Sequence, residues 1–337
     1  MKKYLLPARG NDYKANLHCH TTFSDGECTP GEIKKIYKER GYSIVAYTDH
    51  DILIAHDDLN DESFLALHGF ETETTERKPF AVAKTCHLCY IAIKKDQLTQ
   101  PNWHRTAYLI GNAPEHRDEV RFDESKPDFV REYTPENINE MIANARKAGF
   151  FVTYNHPCWS LENYPDYMAY NGMNAMEIVN YGAYMLGFHD YNPRVYDDML
   201  RGGKRIFCIA ADDNHNVLPP TDPKSDACGG FTVIRAKKLE YEAITKALVK
   251  GHFYASTGPA IHALWLEDGK VHIKCSPAAR IDYSAASRHR GSAVAEKGKT
   301  IYEAAFTVRE YDGYFRLTVT DREGKHADTN AYFIDTI

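Results

Sequence analysis

Long apolar runs are missing from this chain of 337 residues: no stretch of roughly 18 or more apolar residues occurs, so no membrane span or membrane partner is expected. The first ten residues carry two lysines but lack the apolar core of a secretion signal. A basic excess is also missing. Lysine and arginine total 41 against 47 acidic residues, a net charge of −6, and no basic run of five or more appears. A long polyanion would find no global attractive field here, so extended nucleic acid is not an expected partner. Neither a glycine-rich phosphate loop nor a GxSxG nucleophile turn is present, and no glycosidase-type carboxylate pair can be placed. The eight cysteines are thinly spread. Cys86, Cys89 and Cys208 lie inside apolar strand-like runs and read as reduced core thiols, which points to a cytoplasmic location. Cys86-His87-Leu88-Cys89 is formally a CxxC, but no second pair stands at zinc-ribbon spacing, so a zinc knuckle is not expected.

What the chain does have is a series of histidine and carboxylate clusters at the ends of strand-like runs. His18-Cys19-His20 comes first, two histidines two apart on a stretch that reads as strand, so both imidazoles face one way. The apolar run Ser43 to Tyr47 ends in Thr48-Asp49-His50-Asp51, and Leu67-His68-Gly69-Phe70-Glu71 ends another. His87 sits within a β-prone run, Phe151 to Tyr154 leads into Asn155-His156-Pro157, and Arg205 to Ala211 leads into Asp212-Asp213-Asn214-His215. Buried ionisable groups cost several kcal/mol, roughly, unless paired, and a metal site accounts for all of them at once.

In order, HCHTTFSDGE, TDHD, Gly69-Phe70-Glu71, NHP and the closing Asp-x-His resemble the motifs of the PHP (polymerase and histidinol phosphatase) superfamily of metal-dependent phosphoesterases, over roughly residues 14 to 258. The resemblance implies nine ligands: His18, His20, Asp25, His50, Glu71, His87, His156, Asp213 and His215. His18, His20, Glu71 and Asp213 would hold one ion, Glu71 would bridge to a second held by His87 and His156, and Asp25, His50 and His215 would hold a third. Six imidazoles and three carboxylates suit manganese, zinc or iron, two to three divalent ions in all. His189 and Trp159 belong to segments expected to face the same pocket, yet both read as ordinary surface or core residues.

Hydrophobic residues make up 43% of the chain, enough for one large domain and a smaller one. Thr29-Pro30-Gly31-Glu32 reads as a capping box opening a helix that stops near Gly41, and Thr134-Pro135-Glu136-Asn137 opens a second. Val195 to Leu200 and Leu239 to Lys250 read as helices, the latter between strands Phe231 to Ile234 and His252 to Ala255. Alternating strands and helices, with ligands at strand C-termini, predict an α/β fold of the TIM-barrel kind. The family resemblance implies a distorted (βα)7 version over residues 1–258. Beyond Gly258-Pro259 short strands take over, Ile261 to Leu266, Val271 to Cys275, Ala304 to Arg309 and Tyr314 to Val319, predicting a small all-β sandwich-like domain over 259–337. Every expected ligand precedes it, so it should be dispensable for metal binding. Gln97 to Val130 lacks periodicity and reads as a lid or insertion.

The expected chemistry is hydrolysis of a phosphate ester by a metal-activated hydroxide, with no protein nucleophile. Arg194 and Lys204, flanking the Val195–Leu200 helix, are the candidate phosphate contacts. The expected substrate is small: a phosphomonoester, a nucleotide or a short oligonucleotide. Alternatives are a nuclease acting on longer nucleic acid, an amidohydrolase-type C–N hydrolase, which also begins with HxH, and a silent metal-binding module, which would be expected to have lost ligands. Oligomerisation is left open.

Overall fold

The computed structural model describes residues 2–337. Thr29 starts the first helix as its pattern requires: its hydroxyl accepts from the Glu32 N–H, and the Glu32 carboxylate accepts from the Thr29 N–H, giving α1 over Pro30–Glu39. α2 (Pro135–Lys147) follows, then two short helices whose few residues show no period in sequence, α3 (Tyr164–Ala169) and α4 (Tyr181–Met185). α5 (Pro193–Arg201) and α6 (Tyr241–Val249) lie where helical spacing places them.

The strands of the first part are β1 (Asn11–Asn16), β2 (Ile44–Tyr47), β3 (Leu65–Thr75), β4 (Thr85–Ala92), β5 (Phe150–Tyr154), β6 (Ala175–Asn180), β7 (Phe207–Ala211), β8 (Phe231–Ala236) and β9 (Phe253–Ser256). They continue through β10 (Ile261–Glu267), β11 (Lys270–Ala278), β12 (Arg280–Ala285), β13 (Arg290–Val294), β14 (Ile301–Thr307), β15 (Tyr314–Thr320) and β16 (His326–Thr329). One 14-stranded sheet runs β7-β6-β5-β4-β3-β2-β1-β8-β9-β16-β15-β12-β13, with Tyr332–Phe333 added on β15. The architecture is mixed α/β and strand-rich.

The alternation expected from sequence holds only in part. β1·β2, β2·β3, β5·β6 and β6·β7 are parallel, whereas β3·β4 and β4·β5 are antiparallel. Residues 76–84 are too few for a crossover helix, so β3 and β4 pair as a hairpin. The run from β7 to β1 curls until its ends meet. Asp213 N–H donates to the His18 carbonyl (3.0 Å) and His20 N–H to the Asn214 carbonyl (3.1 Å), around a parallel bridge between Cys19 and Asn214. This closure sets the His-x-His and Asp-x-His pairs side by side on one face. Regular strand ends at Asn16, two residues short of His18, because this bridge and not a full ladder carries the chain onward.

Ala15, Ile44, Leu67, Ile91, Phe151, Ala175 and Ile209, one from each of β1 to β7, meet in a buried cluster covered by Ile244 and Leu248 of α6. α2 and α5 bury Ile142 and Met199 in another cluster on the strands' opposite side. The insertion is tied to the site: Asn112 N–H donates to the Ser24 carbonyl, and a Cβ on Gly111 (φ +55°) would lie 2.2 Å from that oxygen.

After Pro259 the chain forms two sheets. β10, β11 and β14 make a four-stranded sheet with Lys3–Tyr4, facing β15 and β12 across a core that includes Ile261, Ile273, Ile281 and Leu317. Residue 258 does not end the large sheet, since β16 pairs antiparallel with β9.

One buried carboxyl beside β5 has a readable pH consequence. Glu162 accepts from the hydroxyls of Tyr133, Tyr154 and Tyr170, yet burial pushes its pKa up to about 7 against those three donors. Folded protein therefore keeps the proton that unfolded chain releases above about pH 4.5, and stability falls as pH rises through that window, flattening above about 7. The Glu162→Gln variant should lose this slope, on the order of 3 kcal/mol in urea unfolding between pH 4.5 and 8. An unchanged slope would assign it to other groups.

Candidate metal centre

The chain ends after β1, β2 and β7, the interiors of β3 and β4, and the turn after β5 deliver nine side chains to one place. Their nitrogen and oxygen atoms fall into three overlapping groups, each within 4.8 Å: His18, His20, Glu71 and Asp213; His20, Asp25, His50 and His215; and Glu71, His87 and His156. The structure therefore brings all nine sequence-expected residues together, and His20 also joins the third group. His18 Nε2 lies 3.1 Å from His20 Nε2, from Glu71 Oε1 and from Asp213 Oδ1. Glu71 is central. Its Oε1 is 3.2 Å from His87 Nδ1 and 3.5 Å from His156 Nε2, while its Oε2 is 3.4 Å from His20 Nε2 and 3.5 Å from His50 Nδ1. Asp25 Oδ2 lies 3.5 Å from His215 Nε2 and 3.7 Å from His50 Nε2.

Local backbone serves this convergence. His156 (φ 26°) and Asp213 (φ 53°) adopt left-handed conformations that neither residue type prefers, a strain the surrounding contacts must hold. A Cβ on Gly26 would sit 2.6 Å from the His20 carbonyl, so only glycine lets the loop bearing Asp25 lie against His20.

The charges are poised for a cation. Burial alone would lower the imidazoles, yet Asp213 and Glu71 hold His18 and His20 well above the ordinary histidine range, and His156 is raised to about 9. His50 has the opposite fate: burial and neighbouring His20 push it down to about 3. Glu71 and Asp213, despite burial, are kept well below the carboxylate range by the same imidazoles. His20 Nδ1, His50 Nδ1, His87 Nε2 and Asp213 Oδ1 are buried and make no aligned hydrogen bond, although charged groups of the opposite kind lie 3.1 to 3.8 Å from each. Buried polar atoms are rarely left so, and the donor set of imidazole and carboxylate fits divalent transition ions.

A supporting layer, unread in the sequence, orients these groups. Glu177 of β6 accepts from His18 Nδ1 (2.8 Å) with one oxygen and from the His156 N–H (2.9 Å) and Asn180 Nδ2 (2.8 Å) with the other. Asn155 Nδ2 donates to Glu71 Oε1 (2.8 Å), and Asp226 accepts from the His215 N–H (2.7 Å). A lone glutamate in the wholly buried run Ala175–Asn180 was the available signal, since it must have partners. Glu177→Gln should weaken metal affinity by about 10 to 100-fold in competition with a chelator. Undiminished affinity would show that Glu177 does not set the imidazole positions.

A cavity of about 560 Å³ is lined by seven of the nine residues, all but His18 and His20. Neither expected phosphate contact lines it. Arg194 points outward, 82% exposed, and its Nε donates to Asp198 (2.8 Å); Lys204 Nζ donates to the Tyr170 carbonyl and to Asn171 Oδ1 (3.0 Å). Lys224, from the loop after β7, is the lysine that does line the cavity. Trp159 also lines it, its ring 5.0 Å from that of His156 and 5.2 Å from that of His87, whereas His189 is exposed and packs near Tyr184.

Among the described residues no helix is long and apolar enough to cross a membrane. No protein-family model matches the chain, and no curated protein matches it. Among solved structures it is similar to a two-domain protein containing a predicted PHP-like metal-dependent phosphoesterase from Bacteroides vulgatus, at 14% identity and a TM-score of 0.45, covering 98% of this chain and 97% of that one. It is also similar to a candidate metal-dependent phosphoesterase from Bifidobacterium adolescentis (17% identity, TM-score 0.39, 64% of this chain and 91% of that one). A third is an amidohydrolase from Chromobacterium violaceum with bound sulfate and no metal (15% identity, TM-score 0.37, 60% and 87%). Likenesses of this size leave the activity to be argued from the site itself.

Proposed function

We propose that the chain is a PHP-type phosphoesterase that hydrolyses a small phosphate ester with two to three divalent ions, manganese, zinc or iron, held by the nine residues. The seven-strand run closing at Cys19–Asn214 is then the distorted barrel of that family. One observation carries the reading: three overlapping histidine and carboxylate groups share Glu71 and His20, with four of their buried polar atoms making no aligned hydrogen bond. Bound divalent ions would supply Lewis acidity and a water acidic enough to attack at neutral pH. The chain's own contributions are positional. Glu177 and Asn155 fix the imidazoles and Glu71, the Asp226 carboxylate fixes the loop bearing His215, and Lys224 offers a positive charge to a substrate anion.

A nuclease reading predicts many cations along a groove, but Lys224 is the single lysine or arginine among the described residues lining the cavity. The amidohydrolase reading shares the His-x-His start; the TDHD element and the closing Asp-x-His favour phosphate esters. Metal-replete protein, its ions counted by elemental analysis, should hydrolyse a small phosphate ester with an apparent affinity that changes little with salt, beyond screening at Lys224. Affinity for labelled oligonucleotides that climbs with length and collapses with salt would replace this reading with the nuclease. Turnover of amides without turnover of any phosphate ester would replace it with the C–N hydrolase.

A further inference from the structure

The walls of the cavity differ sharply from its floor. Phe80, Leu186 and Val217 are 69%, 73% and 72% exposed, Ile110 and Leu218 are also exposed, and all five line the same cavity as the metal-site residues. Trp159 completes the wall beside His87 and His156. These six side chains come from five separate segments: the loop after β3, the insertion, the turn after β5, the C-terminal end of α4, where Leu186 is the cap, and the loop after β7. Exposed apolar residues scattered singly are ordinary, but their convergence from five segments onto one opening marks a site for an apolar group.

The polar inventory agrees. Among the described lining residues there is no serine, threonine, tyrosine, asparagine, glutamine or arginine, so side-chain donors are limited to the imidazoles, Trp159 and Lys224. A sugar ring or nucleobase would lose its hydration with few partners to replace it. A second phosphate would face Glu73 and Asp226 with one lysine to balance them.

Resting on the phosphoesterase reading, we propose that the substrate is a phosphate monoester of an apolar alcohol or phenol, with Phe80, Trp159, Leu186, Val217 and Leu218 as its specificity-determining contacts. The phosphate is its one anionic group, turned to the floor and Lys224. Hydrolysis breaks the P–O bond to the apolar group and forms one to the oxygen of water; the alcohol leaves with a proton and inorganic phosphate remains.

Calorimetry on metal-replete protein with non-hydrolysable n-alkylphosphonates, inorganic phosphate and glycerol phosphate tests this directly. Affinity should rise about fourfold per added methylene until the cavity is filled, and hexylphosphonate should bind more tightly than glycerol phosphate. In the double variant Phe80→Ser/Leu186→Ser, whose two positions are surface-exposed and not among the nine metal-site residues, the rise per methylene should shrink at least by half, while inorganic phosphate binds as in wild type. If phosphate binds but affinity is flat along the series, or glycerol phosphate binds best, the apolar-substrate inference fails and the phosphoesterase reading stands. If neither phosphate nor any phosphonate binds the metal-replete protein, both fail.

Discussion

Glu71→Gln is expected to leave the protein with less than about one transition-metal ion per chain and to lower phosphate-ester hydrolysis at least about a hundredfold. Glu71 belongs to two of the three groups, and its two oxygens lie within 3.5 Å of nitrogens from five different histidines. Glutamine keeps the volume and the acceptor for Asn155 but removes one of the three negative charges that balance bound cations. In the metal-free chain that carboxylate is neutralised by protons, because it helps hold His18, His20 and His156 above their ordinary range. Metal uptake must displace those protons, so wild-type affinity should strengthen from pH 6 to pH 8 and proton release should be measurable in weak buffer. Asp57→Asn is the control. Asp57 pairs with His68 and Lys95 outside the cluster, and its loss should leave the metal content unchanged. A Glu71→Gln protein that keeps its full complement of ions would remove the basis for the site.

Six histidines, Glu71 and Asp213 were legible because each lies in or just after a strand-like run, where a charged group needs a partner that the local sequence does not offer; Asp25 follows no such run and came only from the resemblance of HCHTTFSDGE to the PHP motif. Glu177 obeys the same rule inside Ala175–Asn180 but lies in no recognisable motif, so only the fold shows it reaching His18 and the His156 backbone. Cations were not legible. Arg194 lies in the first turn of α5 and Lys204 just beyond its end, but α5 packs against the outer face, and Arg194 meets Asp198 one turn along the same helix. Lys224 lies in a loop with no periodic signal, and it reaches the cavity through the path the chain takes between β7 and β8. The β3·β4 hairpin was missed for a different reason: alternating strands and helices were read on both sides of it, and the pattern was carried across a connection too short to hold a helix.

Ending the chain at Gly258 is expected to abolish cooperative folding, even though all nine metal-site residues precede that point. Short strands after Pro259 suggest a separable module, but the chain returns at its end to the first part. β16 supplies the hydrogen-bonding partner of β9. Just beyond it, the Asn330 side chain accepts from the Cys208 N–H of β7 (3.0 Å) and donates to the carbonyls of Gly251 (3.1 Å) and Phe253 (3.0 Å). The Ala331 N–H donates to the Tyr196 hydroxyl of α5 (3.1 Å), and Arg316 pairs with Asp197 of the same helix (3.0 Å). Tyr314 and Ala331 share a buried cluster with Phe150, Tyr196 and Met199. Truncation therefore opens a sheet edge at β9, strands the buried Cys208 N–H and two carbonyls, and uncovers apolar surface from strands and helix together. A milder probe separates these losses from a general defect of shortened chains. Asn330→Ala removes three hydrogen bonds at a fully buried position and should cost about 2 to 4 kcal/mol in denaturant unfolding, since buried backbone groups left unpaired are each worth about 1 kcal/mol or more. The substituted chain should still take up its metals when folded, because no ligand is touched. A soluble fragment of residues 1–258 that melts cooperatively and binds metal as the whole chain does would show instead that the returning strand decorates the first part without holding it.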